Sequence, residues 1–217
     1  MIDYNTARRA MVDCQVRPSD VTRYSIIDAM LWAPRELFVP KAARDVAYVD
    51  REIEVAPGRF LLDPRTFAKM LEAAAIGPED LVLDLAPATG YSTAVIARMA
   101  EAVVAIEPDE ELVAGAQALF NRLEVLNAAI TVGDPVAGDT AHGPYDVIFI
   151  NGAVDEVPAA LTAQLKEGGR LVAIFRRDGV GQCRVMVRAG DSFSDRYVFD
   201  ASAAVVAGFE REEAFTF

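Results

Sequence analysis

Histidine, cysteine and tryptophan are scarce in this chain of 217 residues, which has one His, two Cys and one Trp. The lone His142 sits in the loop Gly138-Asp-Thr-Ala-His-Gly-Pro144 with no Ser or Cys nucleophile motif beside it. A His-based hydrolase would lack its partner groups. There is no HExxH, no serine elbow and no run of clustered metal ligands, so a metalloenzyme is not expected. Cys14 and Cys183 lie far apart and outside any CxxC spacing. They read as reduced packing residues of a cytoplasmic protein, with neither a structural zinc nor a disulfide framework. Positive charge is also in short supply: 21 basic against 33 acidic residues leave a net charge of -12. A general phosphate-backbone binder needs a basic face, so nucleic acid is not an expected partner. No apolar run reaches the length of a membrane span. The opening MIDYNTARRAMVDC has no apolar signal-peptide core. The expectation is a soluble, cytoplasmic chain with no membrane partner.

What the chain does have is apolar residues, 53% of the total, with 25% charged. That mix fits one globular domain with a sizeable core. It is organised around Leu81-Val-Leu-Asp-Leu-Ala-Pro-Ala-Thr-Gly-Tyr-Ser92. The apolar run 81–85 reads as a buried parallel strand, the small residues 86–90 as a tight turn, and a helical pattern starts at Tyr91. Strand, turn and helix in that order set a helix N-terminus over the carboxyl end of a strand, where a nucleotide-like ligand can be held.

Before that stretch the chain reads as a helical extension. Val21, Tyr24, Ile27, Met30 and Leu31 recur at helical spacing, with Ser19 or Asp20 as cap and Pro34 as stop. The segment Ala56-Pro-Gly-Arg-Phe60 reads as irregular. Asp63-Pro64 opens a helix that Gly77-Pro78 should end. Four further strands are expected at 102–106, 129–132, 145–150 and 170–175, with helices over 91–99, 109–123 and 157–165. The runs 182–188 and 196–199, joined by a turn at 189–192, then form an antiparallel hairpin. The fold class is α/β: a mostly parallel sheet with an antiparallel C-terminal edge. Residues 1–63 make the extension and residues 64–217 the main domain.

Polar residues recur at the carboxyl ends of successive strands: Asp84 in the first, Glu107 (before Pro108) after the second, Gly133-Asp134 after the third and Asn151 after the fourth. Open α/β sheets bind ligands in the crevice at those ends. An acid about 20 residues beyond the first turn is placed to accept from ribose hydroxyls, and Asp134 can take a donor from a purine ring. Asp and Asn at strand ends also cap helices, so each residue alone has a bland reading. The turn offers Ala86 and Ala88 where nucleotide loops carry glycine, and alanine disfavours positive φ. It is either ordinary packing or a binding loop on a slightly altered path. Trp32 and Phe38 read as core, and Glu210-Arg-Glu-Glu213 as a solvated face.

Over most of 11–190 the chain resembles the protein-L-isoaspartate O-methyltransferases, of the seven-stranded S-adenosylmethionine-dependent class. The similar segments are Ser25-Ile-Ile-Asp-Ala-Met30, Ala33-Pro-Arg-Glu-Leu-Phe-Val-Pro40, Ala47-Tyr-Val-Asp50, the 81–91 stretch, Pro144-Tyr-Asp146, Glu156-Val-Pro158 and Leu165-Lys-Glu-Gly-Gly-Arg-Leu171. The resemblance implies a Rossmann-like methyltransferase fold, S-adenosyl-L-methionine as cofactor, and a protein or peptide substrate methylated on a carboxylate of damaged aspartyl residues. It places Asp84, Ala86, Ala88, Thr89, Gly90 and Tyr91 along the methionine part of the cofactor, Glu107 on the ribose and Asp134 on the adenine. Gln182 resembles a residue near the active site.

The chain departs from the family's Gly-Gln-Thr-Ile-Ser-x-Pro segment, with Gly58-Arg-Phe-Leu-Leu-Asp-Pro64 in its place. Leu62 stands where the family serine lies beside the substrate. That departure keeps two other readings open: a methyltransferase of this fold with another substrate, or a non-catalytic cofactor-binding homologue. Leu62 and Asp63 then border the substrate. Arg59 and Arg65 are candidate cations for an anionic substrate approaching an acidic protein. A dehydrogenase is disfavoured because GxGxxG is absent.

Overall fold

The computed structural model describes residues 2–177 and 179–211. The extension begins with helix α1 (Tyr4–Met11), whose cap Asp3 accepts from the amides of Asn5 and Thr6. A π-helical turn (Val12–Val16) and a 3-10 turn (Arg17–Ser19) follow, then α2 (Tyr24–Trp32). Neither Ser19 nor Asp20 caps α2. Asp20 is a left-handed residue at φ 62°, and the amides of Thr22 and Arg23 instead donate to the Glu72 carboxylate at 3.2 and 3.3 Å. α2 has no side-chain cap; a side chain 50 positions away holds the two residues before it, which local spacing could not show. The stop at Pro34 holds, with Ala33 as the last cap.

The run expected to be irregular is a small hairpin, β1 (Ile53–Ala56) and β2 (Arg59–Leu61), turning at Pro57-Gly58 with Gly58 at φ 70°. Its strands are too short for alternation to register. Helix α3 (Pro64–Ala74) starts on Asp63, whose carboxylate accepts from the Thr66 amide at 2.8 Å. It ends two residues before Gly77, on Ala75 at φ 53°. The Arg170 guanidinium takes the freed carbonyls of Ala74 and Ala75 at 2.5 and 2.9 Å.

The alternation then runs β3 (Leu81–Leu85), α4 (Tyr91–Ala97), β4 (Ala102–Glu107), α5 (Glu110–Leu123), β5 (Ala128–Val132), β6 (Tyr145–Val154), α6 (Ala159–Thr162), β7 (Leu165–Arg177), β8 (Val180–Ala189) and β9 (Ser192–Asp200). The seven-stranded sheet has the order β5-β4-β3-β6-β7-β8-β9. The first five are parallel, and β8 and β9 are antiparallel. Helix α6 is one turn where 157–165 was expected helical, because β7 already begins at Leu165. Strand β6 continues past Ile150 through a bulge to Val154.

Central strands β3 and β6 are buried on both faces, as their unbroken apolar runs require. Met11, Val16, Ile26 and Met30 of the extension join Val82, Val95, Phe149 and Val172 in one core. After β9 the chain returns across the carboxyl end of β6. There the Ala153 amide donates to the Ala204 carbonyl and the Asp155 amide to the Phe209 carbonyl, both at 2.9 Å. Of the acidic run 210–213, Glu210 is exposed, and Glu212 and Glu213 lie outside the described residues. No helix among the described residues is long and apolar enough to cross a membrane.

Candidate functional site

The turn after β3 is the sharpest feature of the crevice. Ala86, Ala88 and Gly90 have φ of 56°, 53° and 85°. The two alanines therefore adopt the left-handed path that glycine would follow, at a cost of about 1–2 kcal/mol each. The surroundings hold them there. The Ala86 amide donates to the Ile106 carbonyl at 2.9 Å and the Ala88 amide to Glu107 Oε2 at 2.8 Å. Thr89 Oγ1 donates to the Phe38 carbonyl at 2.6 Å, tying the turn to the extension. Gly90 alone cannot be replaced, since a Cβ would come within 2.8 Å of the Phe120 ring.

Behind the turn, Asp84 has no exposed surface. Its carboxylate accepts from Ser92 Oγ at 2.8 Å, Thr93 Oγ1 at 2.6 Å and Asn151 Nδ2 at 2.6 Å. Burial outweighs these donors and pushes its pKa up to about 6. Asn151 also donates to the Leu85 carbonyl at 3.0 Å. Asp84 and Asn151 are thus brought together, as a clasp joining β3, α4 and β6.

Glu107, at the end of β4, is also fully buried. Arg59, from the tip of the β1–β2 hairpin, meets it in a two-pronged ion pair: Nη2 to Oε2 at 2.6 Å and Nε to Oε1 at 3.2 Å. The next two candidates lie at the rim. Pro108 is exposed, and the Gly133 amide donates to the Glu107 backbone carbonyl at 3.1 Å. Asp134 is exposed and accepts from the Val136 amide at 2.9 Å.

Tyr91 is turned inward, its ring 5.6 Å from both Phe38 and Phe67. Leu62 is buried and borders a narrow space of about 10 Å³ shared with Arg35, Pro87, Tyr91, Ser92 and Asn151. That is at most room for one water. Asp63 is spent as the cap of α3. Arg65 is exposed and pairs with Asp50 at 3.2 Å. Gln182, at the start of β8, accepts from Arg184 at 3.1 Å. His142 is exposed beside Asp139 at 2.6 Å, before the amino end of β6 and so at the opposite end of the sheet from the crevice. Cys14 is exposed and Cys183 buried, both free; burial pushes the Cys183 thiol up to about 12.

Arg35 is the residue that pattern reading passed over. It has no exposed surface, donates to the carbonyls of Ala47 at 2.8 Å and Leu62 at 2.7 Å, and lies 4.8 Å from the Tyr91 ring centre. Its Nη1 and the Tyr91 hydroxyl have no hydrogen-bond partner. The signal available was the charged pair Arg35-Glu36 inside the otherwise apolar 33–40 segment.

A parallel sheet with an antiparallel edge, a turn of left-handed residues after β3 and a buried acid at the end of β4 define the Rossmann-like methyltransferase fold. Comparison with known proteins narrows the class. The family described as protein-L-isoaspartate(D-aspartate) O-methyltransferase matches residues 7–201, and this chain belongs to that family. It is 37% identical to the protein-L-isoaspartate O-methyltransferase of Roseiflexus castenholzii, over 95% of this chain and 94% of that one. A solved protein-L-isoaspartate O-methyltransferase superposes with a TM-score of 0.80 at 25% identity, covering 93% of this chain and 66% of that one. A Plasmodium falciparum structure, determined in complex with S-adenosyl-L-homocysteine, shares the fold with a TM-score of 0.78 at 16% identity, over 94% of this chain and 98% of that one.

Proposed function

We propose that this chain is an S-adenosyl-L-methionine-dependent O-methyltransferase acting on a carboxylate of isoaspartyl residues in proteins and peptides. The observation that carries the reading is the turn at 86–90, which keeps a left-handed backbone although two of its residues are alanine. Strain of this kind persists where the surroundings impose it, and it clusters at ligand sites. Membership of the family supports the same conclusion.

The donor set fits such a cofactor. Glu107 is an acceptor at the strand end where a ribose would lie, the backbone of 86–91 would run beside the methionine end, and Asp134 would face the adenine. Bound there, the cofactor supplies a sulfonium methyl group that needs no further activation. A carboxylate nucleophile, with an ordinary pKa near about 4, is already ionised at neutral pH. No general base is required, which suits a chain whose one histidine lies at the far end of the sheet. The residues themselves have to align the acceptor and exclude water. Phe60, Leu61, Leu62 and Phe67 supply an apolar wall for that purpose, braced by Arg35. In this reading residues 1–63 are an extension packed on the 64–217 methyltransferase domain, and the free Cys14 suits a reducing, cytoplasmic setting.

Incubation with methyl-labelled cofactor and an isoaspartyl peptide tests the activity. The expected product is a base-labile methyl ester, absent with the matching aspartyl peptide. Cofactor binding without any ester on the isoaspartyl peptide would move the assignment to a different acceptor.

A further inference from the structure

Glu107 has no acceptor capacity left over. Arg59 occupies both of its oxygens at 2.6 and 3.2 Å, the Ala88 amide adds a contact to Oε2 at 2.8 Å, and the Asp109 amide one to Oε1 at 3.4 Å. The carboxylate is wholly buried and the Arg59 side chain is 14% exposed. A ribose diol approaching this carboxylate therefore meets a guanidinium already seated on it. The guanidinium brings a positive charge and a fixed two-pronged fork to the carboxylate, which a neutral ribose diol lacks. The two cannot share the same oxygens.

The element that brings Arg59 there is a separate hairpin. Strands β1 and β2 form a two-stranded sheet of their own, with no strand pairing to the seven-stranded sheet among the described residues. The turn at Pro57-Gly58 is exposed, and a Cβ on Gly58 would meet nothing within 4 Å. Ile53 and Leu61 are buried at the base, so packing anchors the hairpin at one end while the Arg59–Glu107 ion pair holds the other.

We propose that Arg59 is an internal competitor for the sugar-binding carboxylate: the hairpin holds the cofactor site shut, and S-adenosylmethionine enters only when Arg59 leaves Glu107. This rests on the cofactor reading above and goes beyond it. Apparent affinity is then the intrinsic affinity reduced by the fraction of molecules in which the hairpin has withdrawn. The narrow space of about 10 Å³ beside Leu62 belongs to the same state, since Phe60 and Leu61 from β2 line it together with Pro87.

Arg59→Gln places the residue type of the family pattern at this position. Arg59→Lys keeps the charge opposite Glu107 but loses the fork, and so preserves folding if the Gln variant does not. Titration calorimetry with S-adenosylhomocysteine, and the thermal shift it produces, compare both with the wild-type protein. Arg59→Gln is expected to bind at least tenfold tighter and Arg59→Lys several-fold tighter, each with a larger ligand-induced rise in Tm than wild type. Wild-type binding as tight as that of the variants overturns the competitor and leaves the cofactor site standing. No heat and no thermal shift in any of the three proteins overturns both readings together.

Discussion

At the scale of single residues, Asp84 shows how far burial can outweigh hydrogen bonding. Three donors surround its carboxylate, yet its pKa rises from 3.8 to about 6 because no water reaches it. The folded state therefore binds this proton more tightly than the unfolded chain does. Its contribution to stability is fully present below about pH 4 and is lost as pH rises toward 6, an effect of about 2–3 kcal/mol. Urea midpoints for wild type and Asp84→Asn should diverge across that window, with the wild type losing ground as pH rises. Parallel curves would show that the carboxyl titrates normally. The spacing of Asp84, Glu107 and Asn151 at strand ends was visible in the sequence, because strand-turn-helix punctuation is local. The Arg59 pairing was not. It joins residues 48 positions apart, and nothing in the segment around 59 refers to the end of β4.

At the scale of elements, agreement followed length. Helices α3 and α5 and strands β3 to β5 were recognisable from periodicity, caps and apolar runs. The β1–β2 hairpin read as irregular and α6 as a longer helix, since three or four residues hold too little pattern to fix an element's type or length. Helix ends drew contacts from elsewhere: Glu72 holds the two residues before α2, and Arg170 closes α3. Helix α5 ends without such help, on the exposed Glu124 at φ 56°. Glycine suits that position and no buried contact would be lost. Glu124→Gly is expected to stabilise the protein by about 1 kcal/mol. Thermal unfolding should show Tm higher by roughly 2–4 °C. A lower Tm would mean that the Glu124 side chain makes contacts the left-handed strain does not outweigh.

Across the whole molecule, Arg170 on β7 is the tie between the helical layer and the sheet. It reaches the Ala74 and Ala75 carbonyls of α3, Asp80 Oδ2 at 2.6 Å before β3, and the Asp146 carbonyl of β6 at 3.4 Å. Its side chain and that of Asp80 are 19% and 18% exposed, so solvent replaces little of what is lost on removal. Arg170→Met is expected to destabilise by about 3 kcal/mol, since it strands a half-buried carboxylate and two helix-end carbonyls. Arg170→Lys should recover only part of this, because a single ammonium cannot span four acceptors. Denaturant unfolding of the two variants measures both, and equal stability of Lys and Arg would show that charge alone matters.

Residue order alone was enough for the alternating strands and helices, the antiparallel closing hairpin and the row of polar groups at the strand ends. Those features depend on periodicity and turn chemistry within some twenty residues. Only the folded chain decided whether the alanine turn would keep a left-handed path, that Arg170 would close α3, and that Arg59 would sit on the Glu107 carboxylate. Each of these balances local strain or desolvation against a contact supplied by a remote segment, and the outcome does not exist until the two are brought together.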